Sequence, residues 1–330
     1  MSKFKLMSRL VVTIIILLTG CIGFIISCTD KDIAVSETLI FEPKLSDYGI
    51  FSEHRQLIHN NRYHPYEIPT PLFSDYTWKQ RLIMVPEGTP LKPENDELPR
   101  FPDSTILVKS FFVYHDIRDT LRGKRIIETR LLVKRDGIWN AASYLWNDEQ
   151  TDAILATAGV DLPVNWIDGN GKPIVLSYHI PSQIECGMCH RSGEKLVPLG
   201  PRMRNLNMTV NRGGRKINQL DHLQQAGVLV ATDPGRYTVM PDWTNLSFSL
   251  EQRARAYLDV NCSHCHKDGG LAAGSSLRLA YDVPTGDSKI RKRKSSVIDQ
   301  MSRGSMPLIG TTVVHQEGLD LVREYLNSLD

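Results

Sequence analysis

Four cysteines and two histidines form the clearest chemical pattern in this chain. They fall into Cys186-Gly187-Met188-Cys189-His190 and, far downstream, Cys262-Ser263-His264-Cys265-His266. Both read C-x-x-C-H, the spacing of c-type haem attachment. Two thiols one helical turn apart can each add to one vinyl group of the same porphyrin. The histidine beside the second thiol then lies under the ring, where its imidazole binds iron from the proximal side. Two rival chemistries use the same cysteines. Paired C-x-x-C can build a zinc cage, but the separation of the pairs far exceeds the roughly 15–20 residues of a zinc ribbon. Structural disulfides suit an exported chain. Neither rival explains a histidine after both pairs. The expectation is therefore two covalently bound haem c groups, with Cys186, Cys189, Cys262 and Cys265 as thioether links and His190 and His266 as iron ligands.

The distal ligands are less even. Ser305-Met306-Pro307 offers Met306 to the second iron, and a soft sulfur opposite imidazole stabilises ferrous iron and raises the potential. For the first iron, Met203, Met208, His222 and Met240 compete, and an open sixth position is the other alternative. His264, between the cysteines of the second motif, is read as a surface residue or as part of a second layer around the metal. A carbonyl within Pro198-Leu199-Gly200-Pro201 is placed to accept the proximal His190 N–H. The run Lys267-Asp268-Gly269-Gly270 after His266 suggests no such carbonyl.

These motifs need elements to carry them. The spans 106–114, 125–133 and 138–146 are rich in branched and aromatic residues. The last two flank the turn dipeptide Asp136-Gly137 and read as a hairpin, and 173–180 reads as another strand. Ser249-Leu250-Glu251-Gln252 has capping-box form, so a helix should start there and deliver Cys262 at its end. Leu319, Val322, Leu326 and Leu329 share one stripe of a last helix over 317–329. The fold class expected is α+β multidomain: a β-rich domain, sandwich or half-barrel, over 45–180, then mostly α cytochrome c-type haem modules over 181–244 and 245–330. The four tryptophans Trp78, Trp139, Trp146 and Trp166 of the β-rich part are read mainly as packing residues.

The chain of 330 residues has a formal net charge of +2, which gives no general affinity for nucleic acid. Lys3, Lys5 and Arg9 precede an apolar run over 10–26, the form of an export signal. Cys21 and Cys28 both follow lipobox-like residues. The chain turns polar directly after Cys28, which favours a signal peptide over 1–27, lipidation at Cys28 and a tether over 28–44. The expected location is outside the cytoplasm, as a membrane-anchored lipoprotein of the periplasm or cell surface. Lys289, Arg291, Lys292, Arg293 and Lys294 form a basic run, read as a solvated loop or a dock for an acidic redox partner.

Six further stretches are LSDYG at 45–49, PLFSDY at 71–76, FPDST at 101–105, ETRLL at 128–132, WNDEQ at 146–150 and RARAYLDVNC at 253–262. With the two C-x-x-C-H motifs, they make the chain resemble a family of uncharacterised exported dihaem c-type cytochromes, over roughly 45–329. The resemblance implies haem at both motifs, one-electron transfer, and a specific role for the polar strings of the β-rich part in shaping the first haem pocket. It supplies no substrate. The alternatives are a dihaem peroxidase-like enzyme with an open first haem and a carbohydrate-binding redox module.

Overall fold

The sheet at the centre of the molecule follows from the strand-forming runs. In the computed structural model, residues 41–329 are described. The signal peptide and Cys21 and Cys28 therefore lie outside the described residues. A small hairpin, β1 (Phe51–Glu53) and β2 (Ile58–His59), comes first. The main sheet follows: β3 (His64–Pro65), β4 (Trp78–Met84), β5 (Ile106–Tyr114), β6 (Lys124–Arg135), β7 (Ile138–Trp146) and β8 (Ala153–Ala156). These six strands pair in sequence order as an antiparallel meander. The β6–β7 hairpin turns at Asp136 and Gly137, both with positive φ (51° and 77°), as a tight primed turn requires. A separate hairpin, β9 (Val160–Ile167) with β10 (Pro173–Ile180), packs Val164, Trp166, Tyr178 and Ile180 against Val113 and Ile127 of the sheet.

The rest of the chain is built around this sheet. From 181 to 244 come α1 (Gln183–His190), the short pair β11 (Arg191–Ser192) and β12 (Lys195–Leu196), α2 (Met203–Leu206), the hairpin of β13 (Thr209–Arg212) and β14 (Arg215–Asn218), and α3 (Gln219–Gln225). Met203, Leu206, Leu220 and Leu223 share one core with Ile83, Leu107 and Trp139 of the sheet. From 245 onward come α4 (Leu250–Asn261), α5 (Lys294–Ser302) and α6 (Gln316–Asn327). Ala254, Tyr257 and Leu258 of α4 meet Leu321, Val322, Tyr325 and Leu326 of α6. A Cβ at Gly318 would overlap the Tyr257 ring, so α6 needs glycine where it crosses α4.

The expected mostly α haem modules are overturned. About 22% of the structure is helical and it is rich in strands. Between 181 and 244 the helices are eight, four and seven residues long. The physical reason is visible in the chain: Pro181, Pro198 and Pro201 and the glycines between 187 and 214 interrupt any helical period. The apolar residues of this segment are then buried on the sheet instead of on neighbouring helices. Residues 41–329 belong to one compact unit. Among the described residues, no helix is long and apolar enough to cross a membrane.

Candidate haem sites

The first motif rides on α1, and a capping box sets where that helix begins. Ser182 Oγ accepts from Glu185 N, and Glu185 Oε2 accepts from Ser182 N at 2.8 Å. The helix then places Cys186 one turn before Cys189 and His190. Cys186 is buried, with its sulfur 3.8 Å from Ser143 Oγ on β7. After His190 the β11–β12 hairpin folds the chain back, so that Val197 and His190 bond twice. Val197 N donates to His190 O at 2.8 Å, and His190 Nδ1–H donates to Val197 O at 2.9 Å. The accepting carbonyl is thus one residue before the expected 198–201 loop. A carbonyl only accepts, so Nδ1 carries the proton and Nε2 keeps its lone pair. Burial pushes the His190 pKa down to about 4, which keeps the ring neutral and able to bind iron.

His190 opens onto a cavity between the sheet and the later chain. One wall is Leu107, Lys109, Leu132 and Ala141 of the sheet, and the facing rim holds Cys186, Cys189 and Pro198 to Pro201. Asn261, His264 and the loop 307–311 complete it, and its empty space, open mouth included, is about 1420 Å³. Arg81, Lys109 and Arg130 reach it from three adjacent strands. Arg130 is neutralised by a two-pronged pair with Glu128 (2.9 and 2.6 Å), which also accepts from Tyr178 Oη at 2.7 Å. Arg81 has no such carboxylate, and its Nη2 is buried without a hydrogen-bond partner. Lys79 next to it is pushed down to about 7 by burial and by Arg81 and Arg130. An apolar slot with thiols and an imidazole at its rim and unbalanced cations on its wall suits a flat apolar ring that bears carboxylates. The residues therefore fit a c-type haem, whose chemistry when bound is a one-electron change at iron.

A clamp closes this cavity, and Asp75 is its hinge. The Asp75 carboxylate accepts from Thr312 N (2.9 Å), Thr312 Oγ1 (3.1 Å) and Val313 N (3.2 Å). Asp75 and Tyr76 are both held at positive φ, 49° and 59°, a strained pair that the surrounding bonds must enforce. Phe73 N donates to Asn261 Oδ1 at 2.8 Å, and the Phe73 ring stacks on His315 at 4.1 Å. The string PLFSDY at 71–76 therefore ties the β-rich part to the loop over the cavity. Trp146 has no such place. Its Nε1 donates to Thr129 Oγ1 at 3.0 Å, and its ring meets Phe51 and His54.

The second motif begins as α4 ends. His266 N donates to Cys262 O at 3.0 Å, and His266 O accepts from Leu279 N at 3.2 Å. Among the described residues the His266 imidazole has no orienting carbonyl, and its buried Nδ1 lacks a partner. Met306 sits in the loop after α5 with 39% of its surface exposed, while its neighbour Pro307 borders the first cavity. His264 departs from the expected surface position. It is 7% exposed, lines the first cavity, and has an unpartnered Nδ1.

The two motifs touch. Gly193 N donates to Gly269 O at 2.9 Å. The nearby Cys265 thiol and burial push the Cys189 pKa up to about 12, and Cys189 in turn lowers that of Cys265. None of Met203, Met208, His222 and Met240 lines the first cavity; Met203 and Met240 are fully buried in packing elsewhere. The four thiols are not bridged as disulfides. Among the described residues no three of His, Cys, Asp and Glu converge on one ion, whereas a haem asks the chain only for axial ligands and two thiols.

Sequence reasoning missed Arg81, Lys109 and the cavity role of His264. A lone lysine in the otherwise apolar and aromatic run 106–114 was the available signal. Comparisons with protein-family models, with curated proteins and with solved structures return no match for this chain.

Proposed function

We propose that this chain is an exported dihaem c-type cytochrome that transfers single electrons outside the cytoplasm, held at the membrane by a lipid on Cys28. The observation that carries the reading is His190. It is half-buried and held neutral, its Nδ1–H is committed to Val197 O, and it opens with Cys186 and Cys189 onto a slot with unbalanced cations. The hydrogen bond from Gly193 N to Gly269 O ties the stretches after the two motifs together, which would keep the haems they hold near enough for an electron to pass between them. The exposed basic residues Arg291, Lys292 and Arg293 give an acidic redox protein a surface to approach, steered by charge. The protein chain's own part is to hold the imidazoles, exclude water from the first ring and fix the distance between the two. His266 and Met306 are the ligands proposed for the second iron.

The test is to express the chain with c-type haem maturation and read absorption and electron paramagnetic resonance spectra, oxidised and reduced, with and without carbon monoxide. Two covalent haems per chain, both low-spin and inert to carbon monoxide, support electron transfer. A chain that leaves maturation with no covalent haem overturns the reading.

A further inference from the structure

The residues that line the first cavity and carry an iron-binding lone pair are few. Glu185 is committed to Ser182 and His179. Asp259 is committed to Arg202, Arg204 and the Tyr281 N–H. Tyr66 is packed into the apolar core with Ile83 and Leu91. A guanidinium has no lone pair to give. Lys109 and His264 remain beside His190 itself.

Register separates these two. Directly paired residues on neighbouring strands share one face of a sheet. Ser143, Arg130, Lys109 and Arg81 form such a row across β7, β6, β5 and β4. Ser143 touches Cys186, one thioether anchor. Lys109 lies two strands away from Ser143, about 10 Å at the usual spacing, on the sheet wall that the ring would cover. His264, by contrast, is next to Cys265 in sequence and near enough to Cys189 to lower its pKa, which keeps it at the thioether edge.

The surroundings of Lys109 also favour a ligand. Among the described residues its Nζ makes no hydrogen bond or ion pair, and it lies over the Phe111 ring, 4.8 Å from Nζ to centroid. The one carboxylate on that face, Glu128, is taken by Arg130 and Tyr178. A half-buried ammonium with cations on both sides and no acceptor is costly. An amine that gives its lone pair to iron carries no such charge and escapes that cost.

We propose that the Lys109 amine is the sixth ligand of the iron held by His190. The inference rests on the haem reading above. It makes the first haem six-coordinate and low-spin, closed to small ligands, with nitrogen on both faces, whereas Met306 gives the second iron sulfur on one.

The experiment compares the haem-loaded wild type with Lys109→Ala, Lys109→Arg and His264→Phe. Mass spectrometry counts covalent haem at Cys186 and Cys189 in each, so loss of haem attachment is distinguished from loss of a ligand. With both haems attached, Lys109→Ala and Lys109→Arg each convert one haem of the two to a high-spin form that binds carbon monoxide, and His264→Phe converts neither. Methylamine added to Lys109→Ala restores the low-spin spectrum, which also shows that the variant is folded. A low-spin, carbon monoxide-inert Lys109→Arg would reveal a counter-ion and overturn the proposal. So would conversion by His264→Phe alone, or a wild-type first haem that is already high-spin.

Discussion

The two C-x-x-C-H motifs of this chain have the same spacing and opposite surroundings. The first sits inside a capped helix, its histidine is held by Val197 O, and a β-sheet forms the wall of its cavity. The second follows the end of α4 in a run of turns, its histidine has no carbonyl to hold Nδ1, and its proposed distal methionine is partly exposed. The motif fixes where thiols and imidazole lie along the chain. It does not fix what faces them. In the first case that is supplied by strands as far back as β4, whose Arg81 lies 105 residues before Cys186, a separation whose loop-closure cost grows only with the logarithm of its length. In the second it must come from the loops between α4 and α6.

The largest effect that could break this comparison is removal of one anchor pair at a time. Cys186→Ala with Cys189→Ala should leave one haem per chain and unfold the protein at a much lower temperature. The double change Cys262→Ala with Cys265→Ala should leave one haem with a smaller loss. The first ring would fill space between the sheet and the 181–244 segment, and an unfilled core of that kind costs on the order of several kcal/mol. Calorimetry on the two variants decides it; equal losses would mean that the sheet does not make the first site special.

Next in size is the clamp. Asp75→Ala leaves the Thr312 and Val313 N–H groups without their acceptor, a cost of about 1–3 kcal/mol where such groups stay buried. The loop over the first cavity should loosen, so a small reductant reaches the first haem faster while the second is unchanged. Trp146→Phe serves as the contrast, because Trp146 does not line the cavity; its spectra should match the wild type. A change in both haems with Asp75→Ala would show that the loop serves the two sites alike.

Smaller still in stability, but sharper in spectroscopy, is Met306→Ala. A side chain this exposed should change stability by less than about 0.5 kcal/mol. The second haem should nevertheless lose its thioether ligand and bind carbon monoxide, with the first untouched. An unaltered second haem would remove Met306 from the iron.

Much of the first site could be read from local pattern, and much could not. The hairpin at Asp136-Gly137, the strand at 106–114 and the capping box at Ser249 are local features, and the structure has all three. The carbonyl for His190 was placed within one residue, because a short reversal after a helical histidine leaves few candidates. What stayed hidden was every relation set by register. Lys109 reads in sequence as one charge in a strand, and only pairing with Arg81 and Arg130 turns it into a cation row. The helical haem modules were overcalled for a related reason. C-x-x-C-H implies a helical turn at the thiols, not a helical domain around them, and the prolines and glycines of 181–244 were the signal that weighed the other way.

The smallest test addresses why α1 is held so firmly to the sheet side of the molecule. His179 on β10 bridges two carboxylates, with Nδ1 at 2.6 Å from Asp161 and Nε2 at 3.0 Å from Glu185, the capping residue of α1. Burial pulls the His179 pKa down, but the two carboxylates outweigh it and the net movement is upward from 6.5. A histidine whose folded pKa is raised contributes its stabilisation fully below the unfolded value. That contribution disappears as pH rises through the folded value. Glu185 works the other way: its bonds to Ser182, and His179 beside it, lower its pKa, so its contribution fails only in acid. The start of α1 should therefore be firmest in the mildly acidic range between these two limits. Thermal midpoints of the wild type should fall slightly from pH 6 to pH 8 relative to those of His179→Gln, in which this contribution is absent. The shift belongs to the first site alone, because no equivalent bridge reaches α4, whose capping residue Gln252 is uncharged. If His179→Gln keeps the wild-type slope, the bridge does not hold the first motif, and the firmness of α1 comes from Cys186 against β7 and from the capping box by itself.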